Sequence, residues 1–515
     1  MTDLVIGSGP SGVSVAKALL ARGRQVLMLD GGRRLEGSAQ ARRDRLAAAG
    51  PESWSADDVK AWQAPQFDTP PGQVRRFGSD FAMVPGVETL VSPDRIGLRA
   101  SHATGGLSNL WGSAVLPNRA EDIADWPIGI DDLSPHYRAV AEFLPISGRV
   151  DALQTLFPTL SMQDRAPLTP SPQAERMLTH LDRQAPRLAK LGAHAGAARL
   201  AVEPGCQYCG QCLHGCPWGL IYASGQTLDV LRHNPDFHYR TGLVRQFEER
   251  PGHVTVTLEG GETLQADRIF VAAGVLETAR LMLASSPNSA ARLQLQDSQH
   301  FFLPSLHHWR APRRPDRRPY HTLPQIFIEL DDPAVSPHLI HAQVYTWNEF
   351  YAHDLINTYG SKLPGSAPVW RLLAQRLVVA QAFLHSAHSA RIDLTMAADG
   401  RLTPTVQGND ETEQIMARAT ARMGQVLKLA GLVPLSFARR PGDVGSSFHV
   451  GGSVPMAKTP GAGQSDILGR PKGLSRVHLV DASCLPSIPA TTITFSVMAN
   501  AHRIGMLAPD TIPFV

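Results

Sequence analysis

The sequence predicts an α/β fold that starts with a nucleotide-binding unit, and two observations carry this. Asp3-Leu4-Val5-Ile6-Gly7-Ser8-Gly9-Pro10-Ser11-Gly12 is a short apolar run leading straight into G-x-G-x-x-G. The helical stretch Val13 to Ala21 follows, then a second apolar run, Gln25 to Leu29, ending at Asp30. Strand, tight turn, helix, strand and ribose-binding acid make a Rossmann unit. Gly7, Gly9, Ser11 and Gly12 are its candidate phosphate turn. Asp30 opposes a 2′-phosphate, so the unit suits NAD or FAD rather than NADP.

Size and charge bound the rest. A chain of 515 residues with 43% apolar and 18% charged residues can bury two cores. A net charge of +3 is too small to point to nucleic acid. The basic run Arg310 to Pro319 is proline-rich and reads as a solvated loop. There is no basic leader before the first strand and no apolar run long enough to span a bilayer, so the cytoplasm is the default. Export alongside a signal-bearing partner subunit stays open.

The elements after Asp30 follow in order. Leu35 to Ala49 has helical periods. Residues 101–118 contain Gly105-Gly106 followed by small and polar residues, which permits close backbone approach to a planar ligand. Residues 130–200 read as mainly helical, broken near Pro167, Pro170 and Pro172. Phe237 to Thr241, Val254 to Leu258 and Thr263 to Gln265 read as strands, with Gly260-Gly261 as a hairpin turn. Ile269 to Gly274 is an apolar strand ending in glycine, and a helix follows from Leu276 to Ala284. Ala273, at that strand end, is a candidate second contact with a diphosphate. Ile326 to Leu330, Leu339 to Tyr345 and Arg391 to Met396 read as strands outside the nucleotide unit. Asp410 to Leu429 is a long helix pattern.

The C-terminal region narrows the nucleotide. Val477 to Ser483 is a strand running into a carboxylate, Asp481, and a helix begins near Ile493. Thr492 and Thr494 at its start can cap it. The positive end of that helix suits a flavin carbonyl that gains charge on reduction. Upstream, His449 stands ahead of the glycine pair Gly451-Gly452.

With these segments and Thr104-Gly105-Gly106-Leu107-Ser108-Asn109-Leu110-Trp111-Gly112, the chain resembles the glucose–methanol–choline (GMC) oxidoreductase family in motif content and order. The resemblance implies FAD in a split Rossmann-like domain under a substrate domain built on a largely antiparallel sheet. It places the FAD domain at 1–130, 220–300 and 440–515, and the substrate domain at 131–204 and 301–439. It implies oxidation of an alcohol or sugar hydroxyl by hydride transfer to flavin N5. His449 matches the family's histidine, and an imidazole can take the hydroxyl proton as hydride leaves. Near Thr492 the family commonly has a second histidine or asparagine. Threonine cannot act as a base at neutral pH, so His102, Asn109 or Asn500 is left as a candidate for that role. Gly106, Ser108, Asn109 and Asp481 match the flavin-side positions.

Cys206, Cys209, Cys212 and Cys216 form C-x2-C-x2-C-x3-C-P, the iron–sulfur run of bacterial ferredoxins. They occupy a separate segment, 205–218. One 3Fe–4S or 4Fe–4S cluster is the expectation, with structural zinc or free thiols as alternatives. A cluster passes electrons singly, which implies a protein or quinone acceptor in place of oxygen. Trp111, Trp218, Trp347 and Tyr345 are candidates for stacking on a sugar or for the core. Two rival functions remain: a flavoenzyme doing redox-neutral or reductive chemistry on a biosynthetic intermediate, which the threonine at 492 motivates, and an electron-transfer subunit, which the cysteines motivate.

Overall fold

The computed structural model describes residues 2–63, 80–82, 90, 96–285, 292–308, 320–348, 355–357, 360–362 and 365–510. The run Arg310 to Pro319 lies outside the described residues.

Thr2–Ile6 is the middle strand of a five-stranded parallel sheet. The order across it is Val477–Leu479, Arg268–Val271, Thr2–Ile6, Gln25–Asp30, Phe237–Thr241. The inner strands are almost wholly buried, which is why they read as continuous apolar runs. Helix Pro10–Ala21 leaves the first strand through the glycine turn and packs along the final helix, Ile493–Leu507. Segments far apart in the chain thus converge on the sheet edge that carries the glycine turn.

The second main sheet is antiparallel. Its order is Leu432–Pro434, His300–His307, Leu377–Phe383, Ile340–Tyr345, Ile326–Leu330, Ala193–Ala197, with Arg440–Pro441 also pairing to His300–His307. Its register sets His300, Phe383, His341, Glu329 and His194 side by side in one row. Residues directly opposite share a face. The alternate residues, among them Phe301, Leu303, Ala342 and Ile328, form a dry core with helices Pro172–Arg183 and Thr412–Leu429. One face is therefore core, and the other carries titratable side chains. A smaller antiparallel sheet pairs Leu402–Gln407, Arg391–Met396, Leu293–Asp297 and Val450–Gly451.

The α/β architecture with a largely antiparallel second sheet is as the sequence predicts. Most elements differ from expectation by a residue or two at their ends. Ala193–Ala197 is the clear exception: it is a strand inside a segment expected to be mainly helical. Its Ala-His-Ala-Gly-Ala sequence lacks β-branched residues, and pairing with Ile326–Leu330 overrides that local preference. Among the described residues no helix is long and apolar enough to cross a membrane.

Candidate active site

The glycine turn is built by close contact. Gly7 has φ +102, and a Cβ there would stand 2.4 Å from the Ala272 carbonyl oxygen. A Cβ on Gly12 would stand 2.0 Å from the Gly7 oxygen. Both positions admit only glycine, whereas a Cβ on Gly9 would meet nothing within 4 Å. Gly9 is the N-cap of the first helix, and Ser11 is buried in its first turn. Asp30 accepts hydrogen bonds from the Ser8 amide (2.9 Å), the Ser8 hydroxyl (2.7 Å), the Gly32 amide (2.8 Å) and the Tyr239 hydroxyl (3.2 Å). The carboxylate thus ties the turn to the end of the second strand.

The 104–112 loop closes over this turn. Gly105 donates to the Ser8 hydroxyl (2.9 Å), and a Cβ on Gly106 would lie 3.6 Å from Gly9 Cα. Ser108 donates to the Gly105 carbonyl, and its oxygen accepts from the Ser224 amide at 2.9 Å. The Asn109 amide donates to the carbonyls of Thr104 and Gly106. These two side chains shape the loop that would hold a ligand. Ser8 and Ser224, which join the loop to the glycine turn, carry no sequence motif of their own.

Asp481 lies just beyond its strand and is fully enclosed. It accepts from the Gly274 amide (2.9 Å), the Thr278 hydroxyl (2.5 Å) and the Ser483 amide (2.9 Å), and burial pushes its carboxyl up. It pins residues 273–278, Ala273 included, to the last strand. Thr492 is the N-cap residue of the final helix, but neither it nor Thr494 makes the expected side-chain cap. Its hydroxyl instead accepts the Leu116 amide at 2.8 Å and ties the helix to the end of the 101–118 segment.

The residues offered for the second catalytic role lie in different places. Asn500 is enclosed in the final helix, where its carbonyl accepts two bonds from Arg503 and its amide faces the Cys484 sulfur. His102 lies beside Glu277, 3.5 Å away. Asn109 is spent on its own loop.

His449 meets the polar face of the antiparallel sheet. Its ring stacks on Phe383, with centroids 4.7 Å apart and planes 24° apart. Phe383 is also in ring contact with His341 and His300. Burial presses the His449 imidazole down to about 3, and His341 and His300 add to the effect. It is neutral at physiological pH, and its buried Nδ1 has no hydrogen-bond partner among the described residues. His341 Nδ1 stands 2.7 Å from Glu329 Oε1, with both side chains wholly buried. The row of His341 and Glu329 went unmarked in the sequence, and only the strand register reveals it. Gly451 lets the strand after His449 lie against residues 482–488, since a Cβ there would stand 2.5 Å from the Ala482 oxygen.

Cys206, Cys209, Cys212 and Cys216 all line one small cavity, together with Trp218, His321 and apolar side chains. Burial and the neighbouring thiols push Cys209 up, and burial does the same to Cys212. All four are free of disulfides. Among the described residues, no group of three or more His, Cys, Asp or Glu side chains is arranged to hold a metal ion. The ferredoxin-like spacing is therefore not matched by a preformed metal-ligand array. A second cavity, of about 320 Å³, has Thr104, Ser108, Asn109, Trp111, Cys212 and Cys216 among its lining residues.

Of the aromatic candidates, Trp111 donates to the Tyr222 carbonyl and Trp218 to the Ala47 carbonyl. Trp218 also stacks on Trp54. Trp347 contacts the Tyr320 ring, and Tyr345 donates to Gln343.

Residues 384–501 match the family model for GMC oxidoreductases. This span contains His449, Asp481, Thr492 and Asn500. A crystal structure of pyridoxine 4-oxidase from Mesorbium loti has the same fold, with a TM-score of 0.60 and 16% identity over 98% of each chain. No curated protein matches the chain.

Proposed function

We propose that this protein oxidises a CH–OH group of a sugar or alcohol, with FAD as the hydride acceptor and His449 as the base. The observation that carries this reading is a neutral imidazole, buried at Nδ1 without a partner, within the span that matches the oxidoreductase family. FAD suits the residues present. Gly7 and Gly12 leave the backbone bare, Gly9 opens a helix N-terminus, and the 104–112 loop folds back over the turn. Gly7, Gly9, Ser11, Gly12, Asp30 and Ala273 would hold the adenosine diphosphate half; Gly106, Ser108, Asn109, Asp481, Thr492 and Thr494 would frame the flavin half. The proposed domain division sets 1–130, 220–300 and 440–515 around the cofactor and 131–204 and 301–439 over the substrate.

When bound, FAD would supply a two-electron acceptor for hydride. His449 takes the hydroxyl proton. Burial keeps the ring unprotonated but makes it a weak base, so it would take the proton as hydride departs and the hydroxyl turns strongly acidic. Thr492, already accepting from Leu116, keeps its own hydrogen for orienting the substrate oxygen and removes no proton.

In this reading the four cysteines would draw together around a 3Fe–4S or 4Fe–4S cluster, whose one-electron chemistry would suit a protein or quinone acceptor. The Cys209 thiol, which burial and its neighbours push up, would become a ligand where iron compensates its charge. Ser108, Asn109, Cys212 and Cys216 line one cavity, so the cysteine segment borders the loop proposed to hold the flavin.

The test is anaerobic mixing of purified, flavin-loaded protein with D-glucose, glycerol, benzyl alcohol and pyridoxine, with iron and acid-labile sulfide measured on the same sample. Bleaching of the flavin by at least one of them supports the function. Failure of all four to reduce it favours the electron-transfer subunit, and turnover without an external acceptor favours redox-neutral chemistry. Absence of iron and sulfide from anaerobically prepared protein removes the cluster alone.

A further inference from the structure

Asp297 ends the strand Leu293–Asp297 and is wholly buried. Its two oxygens serve one turn. Oδ2 accepts the Gly445 amide at 2.7 Å, and Oδ1 accepts the Ser447 hydroxyl at 2.6 Å. The Ser447 oxygen then accepts the His449 amide at 2.9 Å. The next residue along from Asp297 completes the grip: the Ser298 amide donates to the His449 carbonyl at 3.0 Å. Both backbone groups of His449 are therefore fixed from residues 297–298, through one hydroxyl and one direct bond.

The turn needs that grip. Phe448 has φ +61 and is half exposed. An aromatic residue resists this left-handed conformation, which persists only where the surroundings over-determine it. A carboxylate is suited to the work because it accepts on both oxygens. An asparagine would meet one of the two donors with its own N–H. Among the described residues no cation pairs with Asp297, and a buried, unpaired carboxylate is expensive to keep where packing alone is required.

We propose that Asp297 is a positioning residue for His449: it holds residues 445–449 in the strained turn that aims the imidazole. The inference rests on the reading of His449 as the base.

The experiment compares wild-type holoprotein with Asp297→Asn and Ser447→Ala in anaerobic stopped-flow reduction by whichever of the four donors bleaches the wild type. The expected result is a limiting rate per bound flavin at least about tenfold lower in Asp297→Asn, with half-saturation changed less than about threefold. Ser447→Ala, which keeps the Gly445 bond, falls by a smaller factor. The solvent deuterium isotope effect rises in both variants, because proton transfer to a misaimed base becomes slower. A merely structural role would lower the melting temperature or flavin occupancy and leave both the rate per flavin and the isotope effect where they were. That outcome overturns the proposal. If Asp297→Asn does not fold, an unchanged limiting rate and isotope effect in Ser447→Ala overturn it equally. A wild type that no donor reduces overturns the reading of His449, and this proposal with it; an active wild type with an unaffected Asp297→Asn overturns this proposal alone.

Discussion

Burial raises the Asp297 carboxyl to about 6 from its ordinary 3.8, and the bonds from Ser447 and Gly445 recover only part of that cost. The folded chain therefore holds this proton more tightly than the unfolded one. Stability from this group is gained as pH falls through about 6 toward the unfolded value, and it is lost as pH rises through the same window. At about pH 7.5 the charged form carries the full burial cost. Between about pH 7.5 and about pH 5, integrating the proton linkage gives a gain on the order of 1 kcal/mol at the acid end. Asp297→Asn has no proton to bind there. Whatever the amide loses in hydrogen bonding is the same at both pH values, and the remaining titrating groups are common to both proteins. His449 and His300, pressed to about 3 and about 4, stay neutral across the range in any case. The assay is urea unfolding of both proteins at the two pH values, followed by tryptophan fluorescence. The wild-type advantage over the variant should grow by roughly 1 kcal/mol on going to the acid condition. A difference that stays constant between the two conditions, or grows toward alkaline pH, refutes the assignment of a raised, buried carboxyl to this position.

Three other perturbations have definite expected outcomes. Gly12→Ala forces a methyl to within about 2 Å of the Gly7 oxygen, so the purified protein should lose its flavin absorbance; wild-type occupancy would refute the turn geometry. His449→Ala should lower the anaerobic flavin-reduction rate by roughly 100- to 10,000-fold with flavin occupancy preserved, the usual contribution of a positioned base. Cys209→Ser should cut iron and acid-labile sulfide per chain by at least about half, while substrate reduction of the flavin continues at the wild-type rate; equal loss of both would mean that the cysteines hold up the fold.

What the sequence discloses depends on how local the cause is. The glycine turn was legible because strand, turn and helix are consecutive and each glycine is demanded by a contact within the motif or at the adjoining strand. His449 was legible because it stands ahead of a glycine pair, as in the family the chain resembles, and the structure shows that pair lying against residues 482–488. The polar row of Glu329 and His341 was not, since only the register of the strands Ile326–Leu330 and Ile340–Tyr345 brings the pair together. His300–His307 was hidden for another reason: Pro304 argues against an interior strand, yet this strand pairs on both sides. The cysteine spacing was plain, but a spacing says nothing of whether four thiols are drawn in far enough to bind. Asp297 lies furthest from view. Its two partners are 148 and 150 residues away, and neither it nor they belong to a motif. A group that touches the reacting atoms constrains its immediate neighbours, and so leaves a pattern. A group that aims it from another strand constrains only one distant pair of donors. The candidate base can therefore be read from the chain, while the carboxylate proposed to aim it is found only once the chain has folded.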